Sequence, residues 1–435
     1  LGPLRVSGVN ARYFTDDSGE AILLTGSHTW ENRQDQSPNG AFVWDDYLDD
    51  LAIWGHNFIK LWIWEQPKPP NGLGGAGIVN TTDWLTPEIW LRTGPGNASD
   101  GGLKFDLTQY NSDFFDRTRQ RCIDAGNRGM YVSIMLFDGW SVADKGGSTD
   151  PWPYHPFKIS NNINSIDGDP NTDGDGYETQ NHSIQAILDL QDAYVEHLID
   201  AINDLDNVMY EICNEPVGNA GSNAWVAHVI DKIQTYEAGK AKQHPVWYTV
   251  EWPTGDNSIL LASAAEAISP NADVTMDGTK VVIPDTDHYF GIGGSADWAW
   301  KLFAGGAGGI CYMDSWDNNF LDCSGSGHPI QNLRDNLGYI KAMADLANLI
   351  SMVPTGSTYS STGYCLAGGS QFICYQPSNG NFTLDLSGES GTFNIRKVRL
   401  SNGDIDTAQT TTGGASRTIT QPSGWTTGWA CWVYK

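Results

Sequence analysis

From Ile22 to Leu349 the sequence alternates short apolar runs with amphipathic stretches, and few architectures accommodate that order. Strands are expected at Ile22–Thr25, Phe58–Trp64, Met130–Phe137, Val208–Ile212, Val246–Val250, Asp273–Met276, Lys280–Ile283 and Gly309–Met313. Helices are expected between them, at 45–54, 113–125, 184–202, 224–237, 297–303 and 332–349. The third is the clearest: Ile184, Ile187, Leu188, Tyr194, Val195, Leu198, Ile199 and Ile202 recur at helical spacing. Strands that are apolar on both faces need cover on both, and intervening helices supply it. The pattern predicts an α/β protein with a parallel sheet wrapped by helices, and the number of repeats fits a (β/α)8 TIM barrel.

Past Pro354 the pattern changes. Residues 355–435 are rich in Ser, Thr and Gly, with short alternating runs such as Phe372–Tyr375, Phe382–Leu386 and Ala430–Tyr434. These predict a small C-terminal β-sandwich. The division is therefore a barrel over 1–354 and a sandwich over 355–435, and without a low-complexity linker the two should pack directly.

Charge narrows the function classes. With 25 Lys plus Arg against 52 Asp plus Glu, the formal net charge of −27 repels phosphate backbones, so nucleic acid is not an expected partner. No apolar run is long enough for a membrane span. Seven Cys without zinc-type spacing exclude a metal cluster. One or two disulfides are expected, with Cys311 and Cys323 flanking a loop and Cys365, Cys374 and Cys431 in the tail; the pairing is left open. The chain opens on Leu1 without an initiator Met or an apolar leader, and a mature secreted protein, monomeric, is the expectation. The 18 Trp point to carbohydrate, because indole faces stack on sugar rings.

In a barrel of this class the working side chains stand at the carboxyl ends of the strands. The fourth strand runs out through Asn214 and Glu215 to Pro216. Period-two alternation sends Tyr210 and Ile212 to one face and Glu211, Cys213 and Glu215 to the other. The seventh ends in Asp285, Thr286, Asp287 and His288, so two further carboxyls and an imidazole emerge there. Glycosidic cleavage needs two facing carboxyls, one to protonate the leaving oxygen and one to attack or to activate water. Around them, His28, Trp30 and Glu31 follow strand one, Trp62, Trp64 and Glu65 end strand two, and Asp138 and Trp140 end strand three. Trp beside a carboxylate at three strand ends describes a sugar-stacking cleft. Glu251, after the fifth strand, is a second candidate nucleophile, and His288 is placed to orient one of the two Asp. The competing reading of Glu215 is a carboxylate that merely favours a helix N-terminus.

Asn214-Glu215-Pro216 after a strand looks like the fourth-strand signature of the cellulase-like clan A of (β/α)8 glycoside hydrolases. Further segments resemble the apiosidase-like family within that clan: LTGSHTWEN from Leu24, KLWIWEQ from Lys60, LFDGWS from Leu136, SPN from Ser269, PDTDHYFGIGG from Pro284 and WAWK from Trp298. The tail, YCLAGGSQFICYQP and then LDLSGESGTFNIRKVRLSNGDI, is similar to the domain labelled collagen-binding that follows such barrels. The resemblance implies that Glu215 is the acid/base, that Asn214 binds the sugar 2-hydroxyl, that the nucleophile ends strand seven, and that Trp316 forms a platform under the reacting sugar. It implies a carbohydrate substrate and no required cofactor.

One departure matters. Clan members generally carry Glu as nucleophile, and here Asp285-Thr286-Asp287 stands in its place. Alignment puts Asp287 at the catalytic position, with Asp285 as the alternative. One methylene fewer should widen the gap from the roughly 5 to 5.5 Å of retaining enzymes toward the inverting separation, against the retention that the clan favours. The rival class is a non-catalytic carbohydrate- or matrix-binding protein, which would keep the Trp and lose a carboxyl. Separately, Asp169, Asn171, Asp173 and Asp175 at alternate positions around Gly174 copy the start of an EF-hand loop, making structural calcium a candidate. The twelfth place is Gln180 instead of the bidentate Glu, so this is not a true EF-hand.

Overall fold

The computed structural model describes residues 2–30, 32–37, 43–68, 84–146, 150–252, 255–271, 276–314 and 330–435. Eight parallel strands form the central sheet: β1 Leu24–His28, β2 Phe58–Leu61, β3 Tyr131–Asp138, β4 Val208–Asn214, β5 Val246–Thr249, β6 Ala267–Ser269, β7 Val281–Val282 and β8 Gly309–Met313. They pair in the order β8-β1-β2-β3-β4-β5-β6-β7. The remaining edges meet through a parallel bridge between Asp285 and Cys311, and Gly308 N–H donates to the Val282 carbonyl at 2.9 Å, so the sheet closes into the expected barrel. The sixth strand is not where the sequence suggested. It is the three-residue run Ala267–Ser269, too short to show a period, while most of the expected Asp273–Met276 strand lies outside the described residues.

Helices α1 Trp44–Ile53, α2 Ser112–Asn127, α3 Gln185–Ile202, α4 Ala220–Glu237, α5 Asn257–Ala262, α6 Ala296–Ala304 and α7 Gln331–Leu346 wrap the barrel. Several begin where a short polar side chain supplies the missing acceptor: Asn111 accepts from Asp113 N–H, Asn219 from Gly221 and Ser222 N–H, and Ser295 from Trp298 N–H. α3 buries the stripe read from the sequence, including Leu198 and Ile199. Among the described residues no helix is long and apolar enough to cross a membrane. A hairpin, Trp90–Asn97 with Leu103–Tyr110, interrupts the β2–α2 connection and was not foreseen.

The inward-facing residues are layered, and the layers decide where chemistry can occur. Leu24, Phe58, Met209, Trp247, Ala267 and Val281 fill the lower interior together with Leu4 and Phe14 from the N-terminal segment, which plug that end. Two residues further along β2, β4 and β5 the interior turns polar with Lys60, Glu211 and Thr249, and above it stand His28 and Asp285, all fully buried. Among the described residues the cavity at the carboxyl-terminal mouth is where this interior opens outward.

The C-terminal strands form a seven-stranded antiparallel sheet with a separate two-stranded ribbon, Phe382–Asp385 with Ser416–Ile419. One face of the large sheet packs against the ribbon around Phe393, Trp429 and Val433, giving the sandwich. Its other face, through Ile373, Tyr375 and Val398, shares a core with Trp300 and Phe303 of α6 and Leu337 of α7. Among the described residues every cysteine is a free thiol, which corrects the expected disulfides. Cys311 is a buried residue of β8, and Cys323 lies outside the described residues. In the tail, the Cys374 and Cys365 sulfurs sit 3.2 Å apart on neighbouring strands, a hydrogen-bond distance.

Candidate active site

β4 is buried along its whole length, and its two faces are read by different partners. Tyr210 points outward and donates its hydroxyl to Glu237 Oε1 at 2.8 Å. Glu211 points inward, 2.9 Å from Lys60 Nζ, and accepts from Thr249 Oγ1 at 2.7 Å. Asn214 Oδ1 accepts from the same ammonium at 3.3 Å. Residues 211 and 214 therefore both reach Lys60, so strict alternation stops before Asn214. Glu215 follows with φ at 44°, a left-handed conformation that a side chain with a Cβ adopts only under constraint. The constraint is visible: Lys145 Nζ donates to the Glu215 carbonyl at 2.6 Å, and the Trp140 indole N–H donates to Glu215 Oε2.

Beyond β7, Asp285 caps a short turn, Thr286–His288, accepting from Asp287 N–H at 3.2 Å. Its carboxylate is wholly enclosed, 3.0 Å from His28 Nε2 and 3.3 Å from Lys60 Nζ. Burial alone would raise its pKa; His28 and Lys60 outweigh that and hold it far below the usual carboxylate range. Asp287, two residues on, turns to the open mouth instead and is partly exposed. Carboxyl oxygens of Glu215 and Asp287 and a ring nitrogen of His288 all lie within 4.8 Å of one another.

This proximity sets the protonation. Burial raises Glu215, with Trp140, Lys145 and Lys60 opposing the rise. Asp287 is raised well above the ordinary value by burial first, then by the charges of Glu215 and Asp285. Two facing carboxyls cannot both ionise cheaply, so the pair retains one proton between them into a higher pH range than either carboxyl alone. Burial lowers His288 to about 3, so its ring is neutral at ordinary pH. Its Nδ1 is 3.1 Å from Ser269 Oγ, and its Nε2 is enclosed without a hydrogen-bond partner among the described residues.

A cavity of about 450 Å³ opens over Asp287, walled by Trp30, Trp62, Trp64, Trp140, Phe290 and Met313, and Glu215 adjoins it through its hydrogen bond from the Trp140 indole. The Trp wall is braced from behind. The Trp64 indole N–H donates to the Trp30 carbonyl at 3.0 Å, and Trp62 stacks on His28 with ring centres 5.1 Å apart. Trp62 Nε1 and Asn214 Nδ2 are buried donors without a partner among the described residues. Both suit a hydroxyl-rich ligand, because an unsatisfied buried donor is costly until something accepts from it.

Of the residues singled out from sequence, the structure brings Trp30, Trp62, Trp64, Trp140, Asn214, Glu215, Asp287 and His288 to this mouth, with His28 and Asp285 directly beneath. Glu65 and Asp138 form the supporting floor: Glu65 Oε1 accepts from Asp138 N–H at 2.9 Å, and burial pushes the Asp138 carboxyl up to about 8. Glu251 is buried beside β5, 3.3 Å from the Tyr248 hydroxyl, and is not among the described residues that wall the cavity. Glu31 and Trp316 lie outside the described residues. Lys60, Lys145 and Phe290 were missed. Lys60 stands in an apolar run, where a lone Lys that must be buried is itself a signal; Lys145, in a polar loop, carries none.

Glu215, Asp287 and His288 have the spacing of a metal-binding triad, but Lys60 already faces both carboxyls and Lys145 faces Glu215, which disfavours a further cation. In the acidic loop, oxygens of Asp169, Asp173 and Glu178 converge within 4.8 Å. There the Asn171 amide donates to Asp173 at 2.7 Å and to Glu178 at 2.6 Å, while Asp175 accepts from Tyr177 N–H at 3.1 Å. The loop is thus organised by its own amides.

No protein-family model and no curated protein matches the sequence. Solved structures do match the fold. A structure titled glycoside hydrolase aligns over 100% of this chain and 97% of its own, with a TM-score of 0.59 at 12% identity. A glycoside hydrolase family 5 protein from Bacteroides vulgatus aligns over 100% and 94%, with a TM-score of 0.62 at 12% identity. At such identities the likeness is one of fold, and it extends over barrel and C-terminal sheets together.

Proposed function

We propose that this protein is a glycoside hydrolase that cleaves O-glycosidic bonds of an oligosaccharide or polysaccharide by a retaining double displacement. The observation that carries the reading is the Glu215–Asp287 pair, oxygens within 4.8 Å, facing each other from the ends of β4 and β7 under a Trp-walled cavity. That separation belongs with the roughly 5 to 5.5 Å of retaining sites and leaves little room for the intervening water of inverting ones. The Asp285-capped turn, which carries Asp287 forward into the mouth, supports this reading despite the shorter Asp side chain.

In the first step Asp287 attacks the anomeric carbon, the glycosidic C–O bond breaks, and Glu215 gives its proton to the departing oxygen. In the second, Glu215 takes a proton from water, whose oxygen replaces Asp287 at the anomeric carbon and restores both carboxyls. Glu215 must be protonated for one step and ionised for the next, which suits a pKa raised by burial and checked by Lys145 and Lys60. Asn214 Nδ2 and Trp62 Nε1 supply donors for sugar hydroxyls, and Asp285 positions the turn from below. The reading invokes no cofactor. An apiosidase-like specificity and secretion belong to the same proposal and rest on the sequence motifs alone.

Glu215→Gln and Asp287→Asn should each lower turnover at least ~10³-fold with the circular dichroism spectrum unchanged. Reducing-sugar release from a panel of plant and microbial glycans measures this, and NMR of the first-formed anomer reads the stereochemistry. Binding of glycans without cleavage by the wild type would make the protein a lectin-like module instead; an inverted product would unseat Asp287 as nucleophile.

A further inference from the structure

The described structure holds one buried lysine that the reaction scheme uses only in passing. Lys145 is 6% exposed, and among the described residues no carboxylate stands within 4.0 Å of its ammonium. Its hydrogen bond goes to a neutral acceptor, the Glu215 carbonyl at 2.6 Å. The rest of its surroundings are the ring faces of Trp252 at 5.3 Å and Trp140 at 6.0 Å, rings that themselves meet with centres 5.7 Å apart. Trp140 is the same indole that donates to the Glu215 carboxyl. Gly139 makes the arrangement possible: a Cβ there would stand 2.0 Å from the Glu215 carbonyl oxygen and 2.8 Å from Lys145 Nζ.

Burial lowers the Lys145 pKa, because a cation enclosed in this way is costly unless an anion answers it. The groups that face it are Glu215, Cys213 and Asp138. Asp138 is itself pushed up to about 8 by burial and the Cys213 thiol is pushed well above its usual range, so neither answers it readily, and Glu215, whose carbonyl it already holds, is the remaining acid beside it. From its other sides Glu215 meets Lys60, Asp285, Asp287 and His288.

We infer that Lys145 is a positioning residue that pins the left-handed backbone at Glu215 and sets how readily that carboxyl ionises, so that it governs the balance between proton donation and proton removal at the proposed acid/base. The inference rests on the glycosidase reading for its catalytic meaning, while its electrostatic content stands without it. The ammonium is held on the main-chain carbonyl of the same residue, within Coulomb reach of its carboxyl, and favours the ionised form, so its removal must raise the Glu215 titration midpoint.

The test is the titration of Glu215 followed by ¹³C NMR of protein labelled at the Glu side-chain carboxyl, with Glu215→Gln assigning the resonance. Lys145→Met should move the midpoint upward by about one pH unit and Lys145→Arg should leave it near the wild-type value. In parallel, the alkaline limb of kcat/KM on an active glycoside should move upward by the same amount in Lys145→Met. A midpoint that stays in place in Lys145→Met overturns the inference. Should that variant not fold, Lys145→Gln is read in the same way, and a midpoint displaced as far in Lys145→Arg as in the neutral variant also counts against it. Absence of any glycoside cleavage by the wild type would instead remove the functional reading and leave the titration result standing.

Discussion

At the scale of single residues, two aspartates two positions apart at the same turn have opposite electrostatic fates. Asp285 is enclosed but held between His28 and Lys60, so its carboxylate is favoured; Asp287 faces Glu215 and is disfavoured. Linkage gives the two signs. Asp285, with its folded pKa depressed, contributes stability above the unfolded carboxylate range that is lost as pH falls toward its folded value. Asp287, with its folded pKa raised, contributes below that range, and its contribution is lost as pH rises through the folded value. Asp287→Asn should therefore stabilise the protein at pH 8, by about 1–3 °C in Tm, with the gain shrinking toward pH 4. Asp285→Asn should destabilise it by about 3 kcal/mol at neutral pH, since Lys60 then keeps Glu211 as its one close carboxylate. Thermal melts of both variants across that pH range check the pair. A gain in Asp285→Asn or a loss in Asp287→Asn at pH 8 would reverse the assignment of which carboxyl is under electrostatic strain.

At the scale of elements, what could be read from the sequence depended on how long each pattern ran. α3 and β4 were legible because the one repeats its apolar spacing over five turns and the other is a short run, mostly apolar and buried throughout, that leads into Glu215. β6, three residues long, and the Trp90–Tyr110 hairpin, with mixed exposure along both arms, carry no period to detect. The catalytic candidates were legible because barrel geometry puts strand ends at one mouth, whatever lies between them in sequence. What could not be read is support across strands: Lys60 meeting Glu211, Asn214 and Asp285 joins β2, β4 and β7, and no local spacing encodes it. Gly139 is a case where a strand end and a site meet. Since a Cβ there collides with Glu215 backbone, Gly139→Ala must displace the β4 exit or the β3 turn. The expected result is a fall in kcat of at least ~10-fold for a stability loss of about 1–3 kcal/mol. Steady-state kinetics beside urea unfolding separate the two, and unchanged kcat would show that the turn yields without moving Glu215.

At the scale of the whole molecule, the C-terminal sheet is placed where the barrel most needs support. The closing strands are the weakest part of the cylinder, since β7 is two residues long and meets β8 through an isolated bridge and a few backbone bonds. α6 and α7, which flank β8 in sequence, cannot both bury their apolar faces on so short an edge. The sheet takes what remains. Tyr375 stacks on Trp300 with ring centres 6.0 Å apart and donates its hydroxyl to Asp297 Oδ1 at 2.8 Å. The Asn336 amide, held through Oδ1 by the Trp300 indole at 2.9 Å, donates to the Leu400 carbonyl at 2.9 Å. Asp287 and its turn lie between β7 and α6, so support of α6 is also support of that turn. Removal of residues 355–435 should therefore do more than shorten the chain. The exposed face of Trp300, Phe303 and Leu337 forms a contiguous apolar patch, and the truncated barrel should associate or precipitate and melt at least ~5 °C lower. Tyr375→Phe, which deletes one hydroxyl from this contact, should cost about 1 kcal/mol and leave the elution volume of the full chain unchanged. Size-exclusion chromatography and calorimetry of both proteins measure these effects. A truncated barrel that shows no association beyond that of the full chain, melts with it and keeps its kcat would make the sheet a passenger, and the stability of the β7–α6 turn would then have to come from within the barrel alone.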